Sequence, residues 1–272
     1  MTAKVLPLRP GTPFDHFHYI VYCPETREAA AIDPFDDAAI RAAAAAHRLD
    51  LKMVVNTHEH WDHAGRNAAM KASDNVQILA PHAAAGTLQD IDRTLKDGDV
   101  IRIGNAAELK VIATPGHTMA SICLAGSEGG TPFLISGDTL FAGGAGNCGY
   151  GGHAPSLYAT LVAKIAPLAD ETILYPGHDY LARNLRFADH VDPGNEDVRA
   201  VADDLARLPA DRLHFTTLAE ERRINPFLRC GSSGLRRTLP SLAPGLDPAA
   251  EESEMFVTLR AYRDHWADTI AA

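Results

Sequence analysis

Thr57-His58-Glu59-His60-Trp61-Asp62-His63 places three imidazoles and an aspartate within six residues, at the spacing H-x-H-x-D-H. Imidazole and carboxylate are borderline ligands suited to Zn²⁺, Fe²⁺ or Mn²⁺, whereas a structural zinc finger supplies thiolates, and this cluster has none. Three more ligand-type residues recur in one context. His117 follows Thr114-Pro115-Gly116, Asp138 follows Ser136-Gly137, and His178 follows Tyr175-Pro176-Gly177, each close behind an apolar run. A glycine lets the backbone turn sharply and aim the next side chain at a shared centre. Seven ligands are too many for one ion, and two ions about 3–4 Å apart would share them. Glu59 alternates away from the ligands. His16, His18, His47, His82, His190 and His265 read as surface or packing residues, and so does His153 in the glycine-rich loop.

The elements that must carry these residues alternate in type. Residues 19–22 and 29–32 read as short strands about the turn Pro24-Glu25-Thr26, and Asp33-Pro34 ends the second. Asp36 or Asp37 can cap a helix running through Ile40 and the alanines of 42–46. The apolar run 51–55 is a strand opening into the histidine cluster, followed by a helix over 64–72 and a strand over 76–79. Residues 100–103 with 109–112, and 122–124 with 133–135 about a glycine-rich turn, read as strand pairs. A glycine-rich loop (143–152), a helix over 157–165 and a strand over 172–175 complete this part. Beyond it the period is helical, through Asn184, Phe187, Ala188 and Val191, then Val198, Val201 and Leu205, to a final helix over 251–266. The expected organisation is an α/β domain over 1–177, carrying the candidate metal ligands, and an α-helical domain over 178–272.

With 272 residues and a net charge of −10, the chain suits small-molecule chemistry better than broad adhesion to nucleic acid or anionic membrane. No apolar run is long enough to span a bilayer, and the start of the chain lacks the apolar stretch of a signal peptide, so a cytoplasmic protein is expected. Cys23, Cys123, Cys148 and Cys230 are widely spaced and suggest no disulfide framework. Cys148 has no basic neighbour to activate it and reads as a passive small residue.

The ligand set resembles the metallo-β-lactamase superfamily, whose fold is a four-layer αββα sandwich. That resemblance implies that His58, His60 and His117 hold one metal, that Asp62, His63 and His178 hold the other, and that Asp138 bridges both. Zn²⁺ is the expected ion, with Fe or Mn as alternatives. The later segments are similar to hydroxyacylglutathione hydrolases (glyoxalase II). These are Gly137-Asp138-Thr139-Leu140-Phe141, Gly177-His178-Asp179-Tyr180, Asn184-Leu185-Arg186-Phe187-Ala188, Thr217-Leu218-Ala219-Glu220-Glu221 and Asn225-Pro226-Phe227-Leu228-Arg229. The likeness runs nearly end to end and implies hydrolysis of a glutathione thioester of the S-D-lactoylglutathione type to a hydroxy acid and a free thiol. Two metals would lower the pKa of a shared water, with Asp62 and Asp138 as the catalytic carboxylates orienting it. Tyr180 matches a substrate-contacting tyrosine, and Arg260 and Arg263 match a basic pair that could clamp a carboxylate, with a solvated helix face as the bland alternative. The chain departs from the family at the glycine-rich loop, where a Lys and then a Tyr usually hold the glutathione backbone. Asn147 stands at the Lys position, and Tyr150 reads as the displaced tyrosine. Two other activities on this fold stay open: a lactonase, and a mononuclear-iron persulfide dioxygenase.

Overall fold

A computed structural model describes residues 2–9, 14–209 and 212–267. β1 (Lys4–Leu8), β2 (His18–Tyr22) and β3 (Glu28–Ile32) form an antiparallel meander. Helix α1 (Asp37–Ala46) returns the chain to β4 (Asp50–Val55), parallel to β3. The Asp36 carboxylate caps α1 by accepting from Ala39 N at 2.9 Å. α2 (Trp61–Ala64) and α3 (Asn67–Asp74) lead to the parallel strands β5 (Gln77–Pro81) and β6 (Arg93–Leu95), which complete a sheet ordered β1-β2-β3-β4-β5-β6. β7 (Val100–Ile103), β8 (Ala107–Ala113), β9 (Ile122–Glu128) and β10 (Thr131–Gly137) are antiparallel. The small hairpin β11 (Leu140–Phe141) and β12 (Gly144–Ala145) and helix α4 (Ala154–Thr160) separate β10 from its parallel partner β13 (Ile173–Pro176), giving the order β13-β10-β9-β8-β7. Helices α5 (Leu181–Val191), α6 (Glu196–Arg207), α7 (Leu218–Ile224), α8 (Ser233–Leu242) and α9 (Glu252–His265) follow.

Alternation along the strands explains the layering. In β2 and β3, Tyr19, Val21, Ala30 and Ile32 face the second sheet and share a core with Ile101, Leu109, Val111, Leu124 and Phe133. Their neighbours Ile20, Ala29 and Ala31 face outward onto Ile40 and Ala44 of α1 and Met70 of α3. On the far side, Cys123, Leu134 and Leu174 of the second sheet pack against α4, α5 and α9 through Leu157, Phe187, Phe256 and Leu259. The result is the expected αββα sandwich with helices appended to one face. Strands buried on both sides need no polar alternation, which is why their sequences read as continuous apolar runs.

Local differences from the sequence reading have local causes. The helix expected over 64–72 is split into α2 and α3 at Gly65-Arg66, where His60 to His63 must turn toward a common point. The helix expected over 157–165 starts earlier, at Ala154, and widens into a π turn over Leu161–Ile165. β1, β6 and the β11–β12 hairpin were not anticipated, being short or at sheet edges. Among the described residues no helix is long and apolar enough to cross a membrane.

Candidate metal centre and adjoining cavity

Four strand ends converge at one edge of the sandwich. β4 leads into His58, β8 into His117, β10 into Asp138 and β13 into His178. Gly137 lies at φ 49°, a left-handed conformation that costs glycine nothing, and a Cβ there would fall against Thr57. A Cβ on Gly177 would fall against the Asp138 carboxylate and His63. Small residues before the ligands therefore allow close approach as well as the turn.

The structure brings all seven predicted ligands together. His58 Nε2 and His117 Nε2 each lie 3.1 Å from His60 Nδ1. His178 Nε2 is 3.4 Å from Asp62 Oδ2 and 3.5 Å from Asp138 Oδ2, and His63 Nε2 is 3.3 Å from Asp138 Oδ1. Asp138 Oδ2 is also 3.5 Å from His117 Nε2, so this carboxylate joins the two groups. His58, His60 and His117 form one candidate ion-holding group, and Asp62, His63 and His178 fall in another that also includes His16.

The outer nitrogen of each ligand imidazole meets an oxygen. His58 Nδ1 faces Thr57 Oγ1 (3.0 Å), His60 Nε2 the Tyr150 carbonyl (3.0 Å), and His117 Nδ1 the Asn147 carbonyl (2.7 Å). His178 Nδ1 faces the Phe14 carbonyl (2.8 Å), and His63 Nδ1 the Asp33 carboxylate (2.9 Å). Each of these nitrogens donates outward, which leaves the other nitrogen facing inward, with a free lone pair wherever the ring is neutral. In the first cluster the inward nitrogens of His58 and His117 then each lie 3.1 Å from that of His60, an arrangement whose lone pairs repel unless a proton or a metal ion lies among them. In the second, His63 Nε2 and Asp138 Oδ1 are buried with no hydrogen-bond partner. These donors fit divalent ions.

Electrostatics divides the same groups. Burial holds His58 well below the usual imidazole range and also lowers His117. At His178 burial opposes protonation, but Asp138 and Asp62 outweigh it and raise the pKa to about 9. His63 is likewise raised, against burial, by Asp138 and Asp33. Asp138 is driven well below the carboxylate range, against its burial, by His178 and His63. Without ions, two imidazolium groups neutralise the carboxylates, and ions would displace those protons.

One cavity opens onto this centre and a second adjoins the first. The first, of about 350 Å³, is lined by His60, Asp62, His117, Asp138 and His178, with Phe14, Trp61 and Tyr150 as an exposed rim. Phe141, Asn147 and Tyr180 pass from it into a second, more polar cavity of about 230 Å³ that holds Arg183, Arg260 and Arg263. Tyr180 stacks on His178, with centroids 4.9 Å apart and planes 4° apart. Arg260 is buried and structural in its contacts: Nη1 donates to Ala145 O (2.7 Å) and Nη2 to Asp264 (2.7 Å). Arg263 donates to Asn184 Oδ1 at 3.5 Å and lies over the rings of Phe187 and Trp266. The Asn147 side chain turns back to Gly149 N (3.2 Å), and Tyr150 is 76% exposed above the metal cavity rather than in the arginine cavity.

Sequence reasoning missed Asp33, His16, His18 and Arg183. Asp33 accepts from Thr57 N (2.7 Å), Thr57 Oγ1 (2.6 Å) and His63, tying the two ends of the 57–63 segment to the end of β3. Its only sequence signal was a position directly after a buried strand. Glu59 accepts from Thr118 Oγ1 at 2.8 Å and points away from the centre, as expected. His153 is exposed and bonds Ser156 (2.9 Å) at the start of α4. Burial pushes the Cys148 thiol up to about 11, so it is passive.

Comparison with known proteins agrees with this geometry. A family model described as the metallo-β-lactamase superfamily matches residues 19–178, and one described as the hydroxyacylglutathione hydrolase C-terminus matches residues 179–266. The chain is 41% identical over 256 residues to a hydroxyacylglutathione hydrolase from Polaromonas sp., covering 94% of this chain and 97% of that one. It is 39% identical over 253 residues to another from Nitrosococcus oceani, covering 93% and 96%. The crystal structure of ETHE1 from Myxococcus xanthus matches with a TM-score of 0.67 at 24% identity, over 94% of this chain and 89% of that one, a likeness of fold.

Proposed function

We propose, from the premise that this chain belongs to the hydroxyacylglutathione hydrolase family, that it is a metal-dependent hydrolase of glutathione thioesters. The observation that carries this reading is the junction of two inward-facing ligand clusters with a cavity of arginines, across Phe141, Asn147 and Tyr180. His58, His60 and His117 would hold one ion, and Asp62, His63 and His178 a second, with Asp138 shared. Zn²⁺ suits these donors, and Fe or Mn would also be accepted. Such ions supply Lewis acidity and make water acidic enough to attack near neutral pH.

The chain's own groups do the rest. Asp62 and Asp138 orient the attacking water toward the thioester carbonyl carbon. The C–S bond breaks, the acyl group leaves as a hydroxy acid, and the sulfur leaves as a thiolate. A thiol pKa of ~8.5 makes that a good leaving group, so no strong general acid is required. Phe14, Trp61 and Tyr150 border the acyl side, while Tyr180 and the arginine cavity receive the anionic carrier. Arg263 and Arg183 are the cations offered to its carboxylates, and Arg260 holds the loop on which Asn147 sits. In this reading residues 1–177 form the hydrolytic unit and residues 178–272 the carrier-binding unit.

Side-by-side rates test it. Turnover of S-D-lactoylglutathione should far exceed that of an acyl-homoserine lactone, with no oxygen uptake on glutathione persulfide. Preferred lactone opening, or persulfide-dependent oxygen uptake, would replace this reading.

A further inference from the structure

Residues 14–18 precede residue 19, where the superfamily match begins, yet they wrap the second cluster. Phe17 N donates to Gly177 O and Asp179 N to Asp15 O, each at 2.8 Å, so His16 faces His178 across an antiparallel bridge. The Phe14 carbonyl takes the Nδ1 proton of His178 at 2.8 Å. His16 is fully buried, and its ring lies edge-on to two ligand rings, 4.4 Å from His63 and 4.8 Å from His178. One side chain therefore fills the space behind both imidazoles of that cluster.

Two roles compete for this ring. A nitrogen of His16 lies within 4.8 Å of ligand atoms on Asp62, His63 and His178, so a fourth ligand is conceivable. However, His16 Nε2 approaches His63 from the Nδ1 side at 3.3 Å, away from the Nε2 that faces Asp138. That Nδ1–H is already given to Asp33 at 2.9 Å, so the His16 nitrogen adds little to it. The other nitrogen of His16 faces His18 Nδ1 at 3.0 Å. The ring itself stands edge-on as a rigid wall against both imidazoles.

We propose that His16 is a positioning residue for the second metal cluster, its ring holding His63 and His178 with their Nε2 atoms turned toward Asp138 and Asp62. The proposal rests on the two-ion reading above. The geometry of a metal cluster depends on such supports, whose loss costs roughly 10–100-fold in affinity.

The test uses Zn²⁺ and Co²⁺ alone, with bound metal per chain measured after equilibrium dialysis and the fold followed by thermal melting of the metal-free protein. Wild type should saturate at two ions. His16→Ala should bind the first ion normally and the second about tenfold or more weakly. His16→Phe, which keeps the wall without nitrogens, should restore the second. If His16→Ala fails to fold, His16→Asn is read on the same scale. Two normally bound ions in His16→Ala, or equal loss of both, overturn the proposal. So does loss of the second ion in His16→Phe, which would mark His16 as a ligand. A wild type that saturates at one ion overturns the two-ion reading itself.

Discussion

Each ligand histidine is fixed by what its outer nitrogen meets, and those partners differ in how visible they are in the sequence. The seven candidate ligands were legible because they follow the ends of four apolar runs, and their spacing is a local property of the chain. Asp33 was not, because its partner His63 lies 30 residues away and Asp33-Pro34 reads equally well as a strand terminator. Yet Asp33 accepts three donors, from Thr57 N, Thr57 Oγ1 and His63 Nδ1. Asp33→Ala leaves two buried donors unpaired on the Thr57 segment and frees the His63 ring to rotate. Metal affinity, measured by competition with a chromophoric chelator, should fall about 10–100-fold. Wild-type affinity in this variant would mean that packing alone holds His63. His16 and His18 read only as surface or packing residues for a related reason: an isolated imidazole carries no periodic signal, and the pairing of residues 15–17 with 177–179 that brings His16 to the site is not local in sequence.

At the scale of elements, the helices after β13 act on the metal centre through one stretch of backbone. Asn184 donates to Ala142 O (2.9 Å), and Glu221 accepts from Gly143 N (3.0 Å). Asn225 donates to Gly144 O (3.0 Å), and Arg260 to Ala145 O (2.7 Å). Four side chains from α5, α7, the turn after α7, and α9 thus hold consecutive residues of the glycine-rich hairpin. The next carbonyl but one, that of Asn147, orients His117. The Asn225-Pro226-Phe227 segment, which marked family likeness in the sequence, is a mechanical part of this chain of contacts. Asn225→Ala strips a donor from Gly144 O and from buried Glu221 (2.7 Å), and should cost about 1–3 kcal/mol, read as a lowered midpoint in urea. It should also weaken binding of the ion at His58, His60 and His117, whereas a purely local role would leave metal binding unchanged. The helical period announced that these helices exist, but not that their polar residues point inward at a loop. Loop backbone offers carbonyls and amides wherever it runs, so its partners leave no trace in the pattern of apolar residues.

At the scale of the whole molecule, charge and burial set two dependences that composition alone could not reveal. A chain with net charge −10 keeps Arg183, Arg260 and Arg263 around one cavity, where Asp264 is taken by Arg260. Asn147, standing where the resemblance implies a Lys, brings no cation to this cavity, which Arg183 of α5 also lines. Arg183→Gln should raise KM for a glutathione thioester about tenfold with kcat nearly unchanged, as expected for lost binding shared by ground and transition states. An unchanged KM, or an equal effect on an uncharged N-acetylcysteamine thioester, would remove Arg183 from carrier recognition. The second dependence comes from Glu221, fully buried beneath the hairpin. Burial raises its pKa from 4.5 to about 7, although Asn225, Thr216 and Gly143 donate to it. The folded chain therefore holds a proton on Glu221 over a range where the unfolded chain has released it. Its contribution to stability is complete below about 4.5 and is lost as pH rises through about 7. The size is at most about 3 kcal/mol, because each tenfold change in proton affinity is worth about 1.36 kcal/mol. Glu221→Gln keeps an uncharged side chain of the same shape and removes this titration. The thermal midpoint of the metal-free protein should drop between pH 5 and pH 8 in wild type, and the drop should be smaller in Glu221→Gln. Equal slopes in the two proteins would show that another group sets the dependence, and that Glu221 sits ionised under the hairpin with its three donors offsetting the cost of burial.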